Sequence, residues 1–159
     1  MKQNNLIQKI LTISLIISLI ANIFLVFLNI NTNKTFVNEN LKQSVLDVIS
    51  ASDDSIEILS FHKTQLELET ITVNDYSAQL KELSEIHSSL MILIEKEDFK
   101  KNILLKEKTL LFLNERKKMI DNIKSAIDLD SSNYFNVATT AEQEANNLLT
   151  ELNNLIKEM

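Results

Sequence analysis

The sequence predicts an all-α protein, in which an N-terminal transmembrane helix is followed by an up-down-up-down antiparallel four-helix bundle. The first observation is that glycine and proline are absent from all 159 residues. Tight turns and sharp corners usually depend on these residues, so their absence favours long helices over a sheet with many hairpins. The second is a stretch of uncharged residues near the N-terminus (10–33). The third is that apolar residues recur every three or four positions beyond residue 36, as in amphipathic helices.

The uncharged stretch begins with "ILTISLIISLIANIFLVFLNI" (10–30) and is predicted to span a membrane at residues 10–32. As a helix, the whole stretch would rise about 36 Å, which exceeds the hydrocarbon core of about 30 Å. It lacks the polar stripe that a core helix of a soluble protein usually keeps. A cleaved signal peptide is the nearest alternative, but the apolar run is longer than signal peptides need and no pair of small residues follows it. We therefore expect an uncleaved anchor.

Charges beside the predicted span indicate its orientation. Lys2 and Lys9 precede it, and no acidic residue occurs before Glu39. Because positively charged flanks stay in the cytoplasm, residues 1–9 are predicted to form a short cytoplasmic tail and residues 33–159 an extracytoplasmic domain. Lysine, asparagine and isoleucine are abundant, as in proteins from AT-rich bacterial genomes. The expected location is the bacterial cell membrane, crossed once.

Residues 33–159 are predicted to fold into four helices at about 37–70, 75–96, 99–128 and 132–158. Short polar segments separate them, and short connections make neighbouring helices antiparallel. Thr72 and Asp75 have the spacing of a capping box, and Asp98 is a candidate N-cap for the third helix. "SASDDS" (50–55) interrupts the first apolar stripe, either as a polar layer or as a bend. Three alanines on one face of the last helix (138, 141 and 145) predict a close helix approach.

Charge is unevenly distributed along this domain. All 22 acidic residues lie beyond residue 38, whereas nine of the 16 basic residues lie between Lys96 and Lys124. A basic strip for an anionic partner is one interpretation; nucleic acid is disfavoured as that partner by the acidic net charge. The simpler interpretation is a solvated helix face with ordinary ion pairs, such as Glu115 with Lys118 and Lys124 with Asp128. The candidate strip residues are Lys100, Lys101, Lys108, Arg116, Lys117 and Lys118.

The sequence offers no group placed for catalysis, so we expect a protein that is not an enzyme and has no metal or cofactor. Cysteine is absent, phosphate-binding glycine loops are impossible, and neither His62 nor His87 has the Glu-x-x-His spacing of di-iron bundles. We interpret His87 as a residue at the boundary of the core, with Ile86 in the core position. Aromatic residues near helix starts are candidates for a pocket, although ordinary core is the simpler interpretation: Tyr76, Tyr134 and Phe135.

The predicted arrangement is similar in topology and helix lengths to the sensor half of bacterial chemoreceptors and sensor kinases. No motif carries this resemblance, and we expect no inward signalling through a second span after "NNLIKEM" (153–159), so the family is not assigned. The expected function is a non-enzymatic protein-interaction module of the bacterial envelope. Its partner would be another envelope protein or a second copy. A second copy would bind by coiled-coil pairing of the first bundle helix, which is long enough to extend beyond the bundle as a stalk. The alternatives are a small-molecule or peptide-binding, sensor-like bundle and an envelope-assembly or division accessory protein.

Overall fold

A computed structural model describes residues 37–99 and 102–158, and these form four α-helices with no strand among them. The helices are α1 (Val37–Glu67), α2 (Val73–Lys96), α3 (Ile103–Asp128) and α4 (Ser132–Glu158). They pack against one another, which confirms the predicted all-α four-helix bundle. The predicted tail (1–9) and membrane span (10–32) lie outside the described residues. Within the described residues, no helix combines the length and the apolar character that crossing a membrane requires.

Hydrogen bonds and ion pairs between helices show that consecutive helices run antiparallel. Ser77 at the start of α2 donates to Asp128 at the end of α3, over 2.7 Å. Lys108 near the start of α3 lies 2.5 Å from Glu151 near the end of α4. The bundle therefore has a proximal end, where α1 begins, and a distal end, where the α1–α2 and α3–α4 turns lie.

The chain makes both distal turns without glycine. Glu69 and Asp130 take positive φ angles of 54° and 48° after α1 and α3. The residue after each of them donates its backbone N–H to the backbone oxygen five residues earlier: Thr70 to Gln65, and Ser131 to Ala126. This is the Schellman arrangement, in which glycine usually occupies the positive-φ position. Side chains with a Cβ atom hold that strained position here, at a cost of about 1–2 kcal/mol each.

Side-chain hydrogen bonds hold both ends of α2. The predicted capping box is confirmed at the start of α2, where the Thr72 hydroxyl accepts from the Asp75 backbone N–H and the Asp75 carboxylate accepts from that of Thr72. At the other end, Lys106 Nζ donates to the backbone oxygen of Glu95 over 2.7 Å. Phe99 is buried from the connecting loop, so α3 begins at Ile103 rather than at the predicted residue 99.

The buried apolar side chains form two clusters, one in each half of the bundle. The proximal cluster centres on Val45, Leu90, Phe112 and Leu152, one from each helix. The distal cluster contains Leu59, Leu80, Ile120 and Ala141, again one from each helix. α3 and α4 make the most extensive contact, α1 packs chiefly on α2, and α1 and α4 approach each other closely only at isolated points.

Candidate functional site

A buried polar layer lies where α1 and α2 cross the middle of the bundle. Ser52 donates to His87 Nε2 over 3.0 Å, and His87 Nδ1 donates to the backbone oxygen of Leu83 over 2.9 Å. Ser55 donates to the backbone oxygen of Ser52 over 2.6 Å. These serines account for the polar interruption "SASDDS", because α1 continues unbroken through it. Burial lowers the pKa of His87 to about 4, so its imidazole is neutral at pH 7.

His87 is fully buried while Ile86 is only half-buried, so the interpretation of His87 as a boundary residue is wrong. The helical register explains this, since His87 lies four residues after Leu83 and three before Leu90, both of which are core residues. Although a serine hydroxyl bonded to an imidazole is the beginning of a catalytic triad, Ser52 and His87 have no exposed surface through which a substrate could reach them. The pair acts as a core contact.

Arg116 connects three helices beside this layer. Its guanidinium Nη2 donates over 3.3 Å to Asp53 on α1 and over 3.3 Å to Asn146 on α4. The guanidinium also lies over the ring of Phe112, 5.4 Å from the ring centre. Burial raises the pKa of Asp53 more than the neighbouring Arg116 lowers it. A charge that is buried needs such partners, and here it joins α3 to both α1 and α4.

The residues of the candidate basic strip do not form one free surface. Arg116 is buried, whereas Lys108, Lys117 and Lys118 each pair with an acidic side chain: Glu151, Asp121 and Glu115, respectively. Lys100 and Lys101 lie outside the described residues. The predicted pairs Glu115–Lys118 and Lys124–Asp128 are both present. These contacts match the interpretation of α3 as a helix with ordinary ion pairs, and the anion-binding strip stays a prediction.

The described residues form an open apolar cavity of about 400 Å³ in the distal half, here called the distal groove, which is suited to bind another molecule. It lies between α1 and α4, with α3 as its floor. Pockets of about 300–1,000 Å³ with apolar walls and few polar groups are typical of binding sites. The residues that line the groove are Ile56, Leu59, Ser60, Lys63, Leu66, Glu67, Tyr76, Met119, Ile123, Ile127, Phe135, Ala138, Thr139 and Glu142.

Two of the three aromatic residues considered from sequence lie in the distal groove. Tyr76 is buried in its wall, where burial, with a smaller effect of the Glu67 carboxylate, raises the pKa of its phenol to about 12. Phe135 stands at the rim with 48% of its surface exposed. Tyr134 is half-buried and does not line the groove. The phenol of Tyr76 is therefore neutral at ordinary pH and adds no charge to the wall.

Other exposed apolar side chains lie in the distal half of the bundle, outside the groove. Phe61 on α1 and Val137 on α4 are each 42% exposed. Leu68 and Leu129, which immediately precede the two positive-φ residues, are 65% and 63% exposed, and Val73 at the start of α2 is 52% exposed. Apolar side chains are thus exposed at the distal turns as well as in the cavity.

Sequence reasoning identified Tyr76 and Phe135 but not the groove between α1 and α4. The missing information was the spacing between the first and last helices, which no local pattern records. The Ser52–His87 contact, in contrast, had a usable signal. The two residues are equally far from the α1–α2 turn, and residues so placed face each other in an antiparallel helix pair.

The described residues contain no cluster of side chains that could bind a metal ion. Within 37–99 and 102–158, no three of the histidine and acidic side chains lie close enough together to hold a metal ion. Comparison of the chain with protein-family models, with curated proteins and with solved structures finds no match in any of the three. The chain's own surface is therefore the basis for assigning it a function.

Proposed function

We propose that this protein is a single-pass, membrane-anchored helical bundle that binds another protein of the bacterial envelope and catalyses no reaction. The membrane span is the one predicted at residues 10–32, with the bundle on the outer side of the membrane. The observation that carries the binding proposal is the distal groove, and the exposed apolar side chains at the distal turns support it. Because α1 begins at the proximal end, the groove faces away from the proposed anchor.

A protein partner fits this surface better than a small molecule does. A small ligand would be held within the cavity of about 400 Å³, and it would leave the apolar side chains of the distal end exposed. Leu68, Leu129 and Val73 lie in or beside the turns rather than in the groove wall. Only a larger partner covers the groove and the distal turns together, and covering both removes the most apolar surface from water.

The experiment that tests partner binding is site-specific photocrosslinking in the native cells. A photoreactive amino acid replaces Ser60 in the groove, or Ser89 on the outer face of α2 as the matched control, since both serines are exposed. We expect a discrete protein adduct from position 60 and none from position 89. Equal adducts from both positions, or no discrete adduct from position 60, would contradict a partner-binding groove.

Anchoring is tested separately by protease treatment of intact cells that make the chain with a C-terminal tag. We expect full-length protein before treatment and loss of the tag from intact cells, because the proposed orientation leaves residues 33–159 outside. A protected tag would overturn the orientation. A shortened protein in the medium would show that the N-terminal segment is a cleaved signal peptide.

A further inference from the structure

From the shape and charge of the distal groove, we propose that its occupant is a basic amphipathic helix of the partner protein. This helix would lie between α1 and α4 as a fifth helix of the bundle. The inference depends on the proposed partner-binding function and specifies the chemistry of the partner.

The arrangement of the groove walls matches a helix. The α1 wall presents Ile56, Ser60, Lys63 and Glu67, at spacings of four, three and four residues. The distance along α1 from Ile56 to Glu67 is about 17 Å at 1.5 Å per residue, which equals about three turns of a docked helix. Two parallel walls of helical spacing above an apolar floor form the kind of groove that accepts the apolar face of an amphipathic helix.

The α4 wall supplies the opposite side with the same periodicity. Phe135, Thr139 and Glu142 lie at the rim, at spacings of four and three residues, and Ala138 lies deeper. Because the alanine leaves space beside the wall, an apolar side chain of the incoming helix can reach the floor formed by Ile123 and Met119. The rim residue Phe135 then packs against the flank of that helix.

The charge of the flanking helices selects a basic helix over an acidic one. Along their full lengths α1 and α4 carry ten acidic and three basic residues. Two of these acids, Asp53 and Glu151, already pair with basic residues of α3. The charged residues that line the groove are Lys63, Glu67 and Glu142. At the groove itself, Lys63 and Glu67 pair with each other across 3.9 Å. Glu142 at the opposite rim has no ion pair among the described side chains. Lysine or arginine on the flanks of the incoming helix would complement these carboxylates.

A second copy of this chain is a less suitable occupant. Among the four described helices, α3 is the only one in which basic residues outnumber acidic ones, and much of its charge is already paired within the chain by Glu151, Asp121 and Glu115. The apolar face of α3 that a second copy would have to offer already forms the floor of the groove in its own chain. Docking of α3 into the groove of another copy would join unlike surfaces, and such contacts generate open chains rather than a closed dimer.

The test uses the full-length chain in nanodiscs of zwitterionic lipid and two synthetic 16-residue helical peptides. Both peptides carry leucines at positions i, i+3, i+4, i+7 and i+11, and their remaining positions are lysine and alanine in one and glutamate and alanine in the other. The absence of cysteine permits a single environment-sensitive label. It is placed by Thr139→Cys in the groove, or by Thr150→Cys on α4 outside the groove as the control.

We expect the lysine peptide to change the signal from position 139 and not from position 150, and to bind at least about tenfold more tightly than the glutamate peptide. Glu142→Lys should weaken this binding about fivefold, since one favourable charge contact becomes unfavourable. Glu144→Lys is the matched control, because Glu144 is exposed on the same helix but does not line the groove. Equal affinity for the two peptides, or equal effects of the two substitutions, would overturn the charge argument.

Three other outcomes overturn the proposed occupant. If neither peptide binds but dodecanoate changes the signal from position 139, the groove accepts a small apolar molecule. If light scattering shows self-association that Glu142→Lys abolishes, a second copy is the occupant. If neither peptide binds although position 60 still gives a discrete adduct in cells, the partner is not a basic helix while the proposed function stands. If neither peptide binds and position 60 gives no discrete adduct in cells, the proposed function is refuted as well.

Discussion

Acidification from pH 7.5 to pH 5 should destabilise the bundle, and His87 should cause most of this loss. Burial lowers the pKa of His87 to about 4 from an unfolded value of 6.5. Between these values the unfolded chain binds a proton that the native chain does not. The free energy of unfolding therefore decreases as the pH is lowered. The contribution of the neutral, buried His87 is complete above pH 6.5 and is progressively lost towards pH 4.

The expected size of the effect follows from this difference in pKa. Proton linkage with these two values gives a loss of about 2 kcal/mol at pH 5 relative to pH 7.5. His62 acts in the same direction, because burial also lowers its pKa. Asp53 and Glu97 act in the opposite direction, because burial raises their pKa values. The comparison of wild type with His87→Gln therefore separates the contribution of His87 from that of these carboxyl groups.

The assay is urea unfolding of the full-length protein in a zwitterionic detergent, followed by circular dichroism at several pH values. His87→Gln removes the titrating group and should flatten the dependence of unfolding free energy on pH, even if the variant is less stable at every pH. His62→Gln is the matched control and should retain most of the slope. A wild-type free energy that is constant between pH 7.5 and 5, or an unchanged slope in His87→Gln, would refute the reasoning.

Three substitutions test other contacts by urea unfolding at pH 7.5. Asp53→Ala leaves the buried Arg116 guanidinium without a carboxylate and should cost about 1–2 kcal/mol, because the Asp53 side chain is itself 47% exposed. The exposed neighbour Asp54→Ala should change stability by less than about 0.5 kcal/mol, and equal losses would contradict the role of the pair. Glu69→Gly should stabilise by about 0.5–1 kcal/mol, because glycine relieves the positive φ, and a loss would count against strain there. Ala141→Leu should cost about 1–3 kcal/mol by overpacking the distal core, and unchanged stability would show that the core has room.

The sequence was sufficient to predict the four helices because apolar spacing is a local property. It was less informative where a residue's type and its position disagreed. Phe99 fits an apolar helical face, yet it is buried from a loop before α3 begins. His87 shows the reverse, because its register places it in the core although histidine is usually expected near the surface. In both cases packing between helices decided the outcome, and the sequence alone does not display that packing.

Arg116 shows a similar limit for the candidate site. As one of six basic residues considered together, it suggested an exposed strip, but its partners are far away in sequence at Asp53 and Asn146. Charge runs along one helix report composition, whereas exposure depends on which residues face the neighbouring helices. The same reasoning explains why Phe135 could be selected as an aromatic candidate while the groove beside it could not.

The origin of the groove can be traced to the alanines of α4. Ala138, Ala141 and Ala145 are all buried, and α4 makes its most extensive contact with α3. Because the distance between packed helices depends on the side chains at the contact, alanines allow α4 to lie close to α3. With α4 drawn towards α3, its approach to α1 is limited, and the two helices leave the apolar floor of α3 open between them. Ala138 belongs both to the distal core and to the groove wall, so the packing that stabilises the bundle also creates the surface that a partner helix would occupy.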